Sequence, residues 1–123
     1  MSIFERISTL IKSNINDLIS SAEDPEKILE QLIIDMRSQF LEARKHVAVA
    51  IADEKRLKRT FERESEKAKE WEKKAMTAVR SGRDDLARES LSRKSEHDQI
   101  AEQYEAQWHS QEKAAAQLKE ALT

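Results

Sequence analysis

The side chains best suited to metal binding or proton transfer are His46, His97 and His109, and they stand far apart along the chain. Glu105 and His109 have the i,i+4 spacing that puts two ligands on one helix face. Two ligands leave a metal site half built, and no second pair converges on them. There is no cysteine to supply a thiolate and no glycine-rich phosphate loop. Nor is there a Ser–His–Asp set that an extended chain would gather around one pocket. Carboxylates are plentiful, as on any charged helix surface. The expectation is a chain with no catalytic residue, no cofactor and no bound metal.

Other residues are suited to recognition. Lys55, Arg56, Lys58 and Arg59 form the densest basic cluster and could meet phosphates of lipid or nucleic acid. A solvated face or pairing with acidic residues is the plainer reading. Trp71 and Trp108 could anchor a partner, but both fall at seam spacing, which predicts core. Overall, 22 Lys and Arg against 24 Asp and Glu give a net charge of −2. That balance lacks the basic excess of a nucleic-acid binder.

The elements that carry these residues must be helices. Of 123 residues, 37% are charged, 5% are aromatic, and one each is Gly and Pro. Turn signals occur only near Asp24-Pro25 and Ser81-Gly82, so few chain reversals are possible and the helices are long. Scarce β-branched runs leave little material for strands. No run approaches the roughly 18 apolar residues needed to span a bilayer, and the lack of cysteine fits a reducing compartment, the cytoplasm by default.

Within residues 1–22, Ile3, Phe4, Ile7, Leu10, Ile11, Ile15, Leu18 and Ile19 recur at helical offsets on one face. The opposite face is rich in Ser, Thr and Asn and nearly neutral. Isolated helices of this length are marginal in water, so this one needs an apolar surface. Asp24 can cap the next helix and Pro25 suits its first position. From there the spacing predicts a coiled-coil seam through Val47, Leu57, Phe61, Ala68, Trp71 and Val79, interrupted at Glu54 and Ser65. Such an arm, residues 25–80, would extend roughly 84 Å at 1.5 Å per residue.

Gly82 sits where a left-handed C-terminal cap is needed. A turn over 81–84 follows, with Asp84 or Asp85 capping a second arm, residues 85–122. Its seam is Ala87, Leu91, Ala101, Tyr104, Trp108, Ala115, Leu118 and Leu122. The fold class is thus all-α: a short amphipathic helix, then a long antiparallel coiled-coil hairpin over 23–123. Reflection about Gly82 pairs Phe61 with Tyr104, Leu57 with Trp108 and Val47 with Leu118 in one core. A basic excess in 44–83 and an acidic excess in 84–123 favour that pairing. Residues Ile28, Leu29, Leu32, Ile33, Met36 and Phe40 are left as an overhang that must find another surface, a second copy being the expected one.

These residues resemble a known family. Ile3-Phe4, the run Asn14-Ile15-Asn16-Asp17-Leu18, then Ala22 to Lys27 with its Asp24-Pro25 junction, Glu70-Trp71-Glu72, and Asp85-Leu86-Ala87-Arg88-Glu89 are similar, in that order, to phage-shock protein A and its plastid relative, the vesicle-inducing protein. The resemblance covers essentially the whole chain. It implies a bacterial or plastid peripheral membrane protein, related in fold to the ESCRT-III membrane-remodelling proteins. Such a protein forms homo-oligomers on the lipid surface in membrane stress response, maintenance or remodelling. It implies a place on the inner face of the cytoplasmic membrane, or on the plastid inner or thylakoid membrane. Some members restrain an AAA+ transcriptional activator through the hairpin, which makes such an activator a second expected partner. Members also continue past the stretch matched here into helices that pack on neighbouring subunits.

Overall fold

The computed structural model describes residues 3–21 and 23–123; the side chains of Ile3, Phe4 and Ser21 fall outside that description. Three α-helices follow in order: α1 (Ile3–Ser21), α2 (Pro25–Arg80) and α3 (Asp84–Ala121). Among the described residues there is no strand. The scarcity of turn residues shows directly in α2, an uninterrupted helix of 56 residues.

Helix ends follow local chemistry. Pro25 opens α2, where its missing N–H costs nothing. The Asp24 carboxylate accepts from the Lys27 N–H at a long 3.5 Å, and its carbonyl accepts from Ile28 at 3.4 Å, the pattern of an N-cap. At the other end the Gly82 N–H donates to the Val79 carbonyl at 3.1 Å and the Arg83 N–H to that of Ala78 at 2.8 Å. This pair of bonds is a Schellman motif, with Gly82 at φ 72° in the left-handed position. The expected aspartate cap of α3 is not what forms. Ala87 donates to the Arg83 carbonyl, so Arg83 holds the cap position. Asp84 and Asp85 lie inside the first turn, where they act on the helix dipole.

The chain forms two compact units. One takes in α1 and α2 as far as His46, together with Glu120–Thr123; the other is Val47–Lys119.

In the second unit α2 and α3 pack antiparallel. Their register is fixed by three cross-helix hydrogen bonds: Gln111 to the Ala50 carbonyl (3.2 Å), Trp108 to Glu54 (2.6 Å) and His97 with Glu64 (2.6 Å). These bonds put the pivot at Arg80–Ser81 rather than at Gly82. Leu57 therefore comes level with Tyr104, not Trp108, and Phe61 with Ala101, not Tyr104. The Schellman turn causes the difference, because it closes between Ala78 and Arg83 and draws α3 forward. The Phe61 ring still reaches Trp108, stacked at 5.8 Å between centroids.

The buried residues are small: Val47, Ala50, Ala68, Ala75 and Ala78 on α2, and Ala87, Ala101 and Ala115 on α3. Leu57, Phe61, Tyr104 and Trp108 are half-buried. Near the turn the seam differs from expectation by one residue. Val79 and Leu91 are 61% and 50% exposed, and Ala78 and Ser90 fill the buried places. Strict alternation of three and four, through 68, 71, 75, 78 and 87, 90, 94, 97, gives that phase. Leu118 is also a correction: it is 45% exposed, since it lies in the last turn of α3, which ends at Ala121.

Candidate functional site

The first unit presents exposed apolar surface. On α1, Ile7, Leu10, Ile11 and Leu18 are 48%, 66%, 43% and 53% exposed, while Ile15 and Ile19 are half-buried. The expected membrane-facing residues Ile3 and Phe4 lie, as side chains, outside the described residues. The polar face has part of its demand for water already met. Thr9 donates its hydroxyl to the Glu5 carbonyl and Ser20 donates to that of Asn16, each at 2.9 Å. No described helix is long and apolar enough to cross a membrane.

Along the start of α2, Leu29, Ile33, Met36 and Phe40 are 42%, 50%, 55% and 49% exposed, and Ile34 and Leu41 more so. Ile28 and Leu32 are half-buried. Spacing of 29, 33, 36 and 40 puts the first four on one helix face.

In the second unit the polar seam positions are paired. Glu54 is 7% exposed, and its carboxylate accepts the Trp108 indole N–H, with Lys55 at 3.6 Å. Lys58 lies 5.6 Å from the Trp108 ring centroid, a cation–π arrangement. The interruption seen at Glu54 is thus a built polar layer, in which burial is compensated by hydrogen bonding. Glu64 makes a second layer with His97. The imidazole beside it, helped by Lys67 at 3.5 Å, holds the Glu64 carboxyl below the usual carboxylate range. Sequence reasoning missed Glu64, His97 and Gln111 as seam members. The signal was available: each lies on the unbroken three-and-four spacing.

Among the described residues few close ion pairs join the two arms. Most described ion pairs run along one helix, among them Arg56–Asp53, Lys67–Glu64, Arg93–Glu96 and Lys94–Asp98. The pair that joins α2 to α3, Glu64–His97, has its acid on the basic arm. The i,i+3 and i,i+4 geometry is intrinsic to a helix, so neighbouring charges on one helix meet without help from the other. The basic cluster is partly used as well: Lys55 lies beside Glu54 and Arg56 pairs with Asp53 along α2, while Lys58 reaches the Trp108 ring on α3.

His46 approaches Glu42 at 3.8 Å, and His109 approaches Glu105 at 3.8 Å and Glu112 at 4.0 Å. Among the described residues no three His, Cys, Asp or Glu are placed to hold a metal ion.

Beside the turn is a groove of about 360 Å³. Trp71, Ala78 and Leu86 give it an apolar floor, and Lys73, Lys74 and Arg83 line its rim. Lys74 stands 4.3 Å from the Trp71 ring centroid. The Ser90 hydroxyl, also in the lining, is buried and has no hydrogen-bond partner. The register brings Ser90 level with Trp71.

An all-helical coiled-coil hairpin with exposed apolar helix faces describes a protein that works through surfaces. Comparison with known proteins makes the class specific. The PspA/IM30 family model matches residues 2–123, and the chain belongs to that family. It is 46% identical over 122 residues to a phage shock protein A homolog of Deinococcus radiodurans, covering 99% of this chain and 55% of that protein. It is 39% identical over 122 residues to the membrane-associated protein Vipp1 of Synechocystis, covering 99% of this chain and 46% of that one. With the chloroplastic membrane-associated protein VIPP1 of Arabidopsis thaliana it shares 44% over 94 residues, 76% of this chain and 28% of the relative. The chain thus spans about half the length of the first two relatives.

Proposed function

We propose that this chain is a peripheral membrane-binding, self-assembling structural protein of membrane stress response, maintenance or remodelling. The observation that carries the reading is the solvent-open apolar stripe of α1, Ile7, Leu10, Ile11 and Leu18. At roughly 1.5–3 kcal/mol per fully buried aliphatic side chain, insertion of the whole face works against the cost of ordering the helix, and partial insertion gives less. Because the polar face is nearly neutral, insertion at lipid packing defects matters more than attraction to anionic headgroups. Ile3, Phe4, Ile15 and Ile19 belong to the same insertion face. The exposed Leu29, Ile33, Met36 and Phe40, with Ile28 and Leu32 beside them, serve contacts between copies. Many weakly inserting copies held together bind as one, which multiplies their affinity. The hairpin core from Val47 to Trp108 supplies stiffness. Names given to the relatives, a membrane-associated protein and a phage shock protein, support this reading, as does the lack of a described helix able to cross a membrane. The inner face of the cytoplasmic membrane, or a plastid inner or thylakoid membrane, is the proposed location.

A regulatory reading, in which the hairpin holds an AAA+ transcriptional activator inactive, has one observation in its favour. Trp71 is only half-buried, beside an open groove, and such aromatics anchor protein partners.

Vesicle co-sedimentation of the whole chain and of a chain lacking residues 1–22, with electron microscopy of the pellets, tests the main reading. Vesicle binding is expected to vanish with the deletion. Equal binding by the shortened chain would refute the role of α1.

A further inference from the structure

The groove beside the turn is not part of the proposed lipid-facing helix; it opens along the edge of the hairpin seam, with Trp71, Ala78 and Ser90 in its lining. Its chemistry is specific: an apolar floor under three cations, Lys73, Lys74 and Arg83, with no carboxylate in the lining. None of these cations is in an ion pair with a carboxylate among the described residues. A fitting occupant carries aliphatic side chains flanked by acids. This chain itself presents one. In α2, Glu26, Leu29, Glu30 and Ile33 stand at i, i+3, i+4 and i+7, on one face of the helix. Leu29 and Ile33 are 42% and 50% exposed, and both glutamates are exposed.

We propose that the groove at the hairpin turn receives the face formed by residues 26–33 of α2 from a second copy of this chain. Leu29 and Ile33 enter over Trp71 and Leu86, and Glu26 and Glu30 meet Lys73, Lys74 and Arg83. The proposal rests on the self-assembly reading and gives it a specific interface. Its two surfaces differ, so the contact is head to tail. Each copy that joins brings a fresh groove and a fresh acidic face. Such a contact builds a ring if the rotation between copies closes and an open filament if it does not. Opposite charge steers the encounter, and the contact weakens as salt rises.

The chain has no cysteine, so the contact is open to disulfide trapping. Full-length Glu30→Cys and Lys73→Cys chains are prepared separately, mixed, and oxidised mildly with and without vesicles. Mixed disulfide dimers should exceed both like-with-like dimers severalfold. In parallel, light scattering follows assembly of Glu26→Lys/Glu30→Lys and of Lys73→Glu/Lys74→Glu, each checked for an unchanged thermal melt. Each reversal should weaken association about tenfold or more, and mixing the two reversed chains should restore it. Large assemblies that yield no mixed disulfide and ignore charge reversal would overturn this interface while leaving self-assembly standing. A chain that stays monomeric at every concentration, with vesicles or without, would overturn both.

Discussion

Between Val47 and Lys119 the fully buried positions hold Val47, seven alanines, Glu54 and Ser90. Residues 3–46 have the opposite character: their aliphatic side chains are large, and Ile7, Leu10, Leu18, Ile33, Met36 and Phe40 stay about half exposed or more. The hairpin closes its interface with the smallest side chains and uses hydrogen bonds to set register. The N-terminal stretch leaves most of its large apolar side chains exposed. In a monomer, exposed area of that kind marks an interaction surface. Hydrophobicity summed over the sequence would rank the regions the wrong way round, because the more apolar segment is the less buried one.

If the two regions have separate tasks, changes in one should spare the other. The largest effect is expected from Ile7→Glu with Leu10→Glu. Vesicle affinity should fall about tenfold or more, measured by flotation, while the thermal melt of the helices stays unchanged. A shifted melt with intact lipid binding would break the comparison.

Next comes the buried layer. Glu54→Ala leaves the Trp108 indole N–H without its acceptor and should cost about 1–3 kcal/mol by denaturant unfolding. Glu54→Gln keeps an acceptor oxygen and should recover most of it, and neither change should alter lipid binding.

Gly82→Ala should cost about 1–2 kcal/mol, from backbone strain alone. A Cβ there meets nothing within 4 Å, so relief by Gly82→Asn, which tolerates the left-handed region, separates strain from crowding.

The smallest effect concerns pH. Because the folded state holds Glu64 below the usual carboxylate range, its contribution is complete above the unfolded glutamate value, about pH 4.3. It is lost as pH falls through the lower folded value. Wild type should therefore lose more melting temperature between pH 5 and pH 3 than Glu64→Gln. Equal losses would remove Glu64 from the account.

Much of this architecture could be read in advance. One glycine and one proline allow two breaks, so three helices follow from composition, and Gly82 and Pro25 stand where backbone geometry demands them. The amphipathic face of α1 follows from spacing. What could not be read was the pairing. A reflection about Gly82 was a reasonable expectation, yet the Schellman closure between Ala78 and Arg83 moved the pivot and changed which residues meet. Leu118 kept its seam position but not its burial, since cover depends on what lies beside a helix end. The polar seam residues misled for a different reason: Glu54 looks like a defect and Glu64 goes unnoticed until their acceptor oxygens are matched to Trp108 and His97 on the other helix.

By itself, then, the sequence determined the number of helices, their ends and which stretches are amphipathic, because these depend on propensities and contacts within a few residues. The tertiary structure alone decided the register of α2 on α3, the pairing of the buried polar groups and the groove beside Trp71. Those depend on the separation and phase of two helices, which spacing within either helix does not contain.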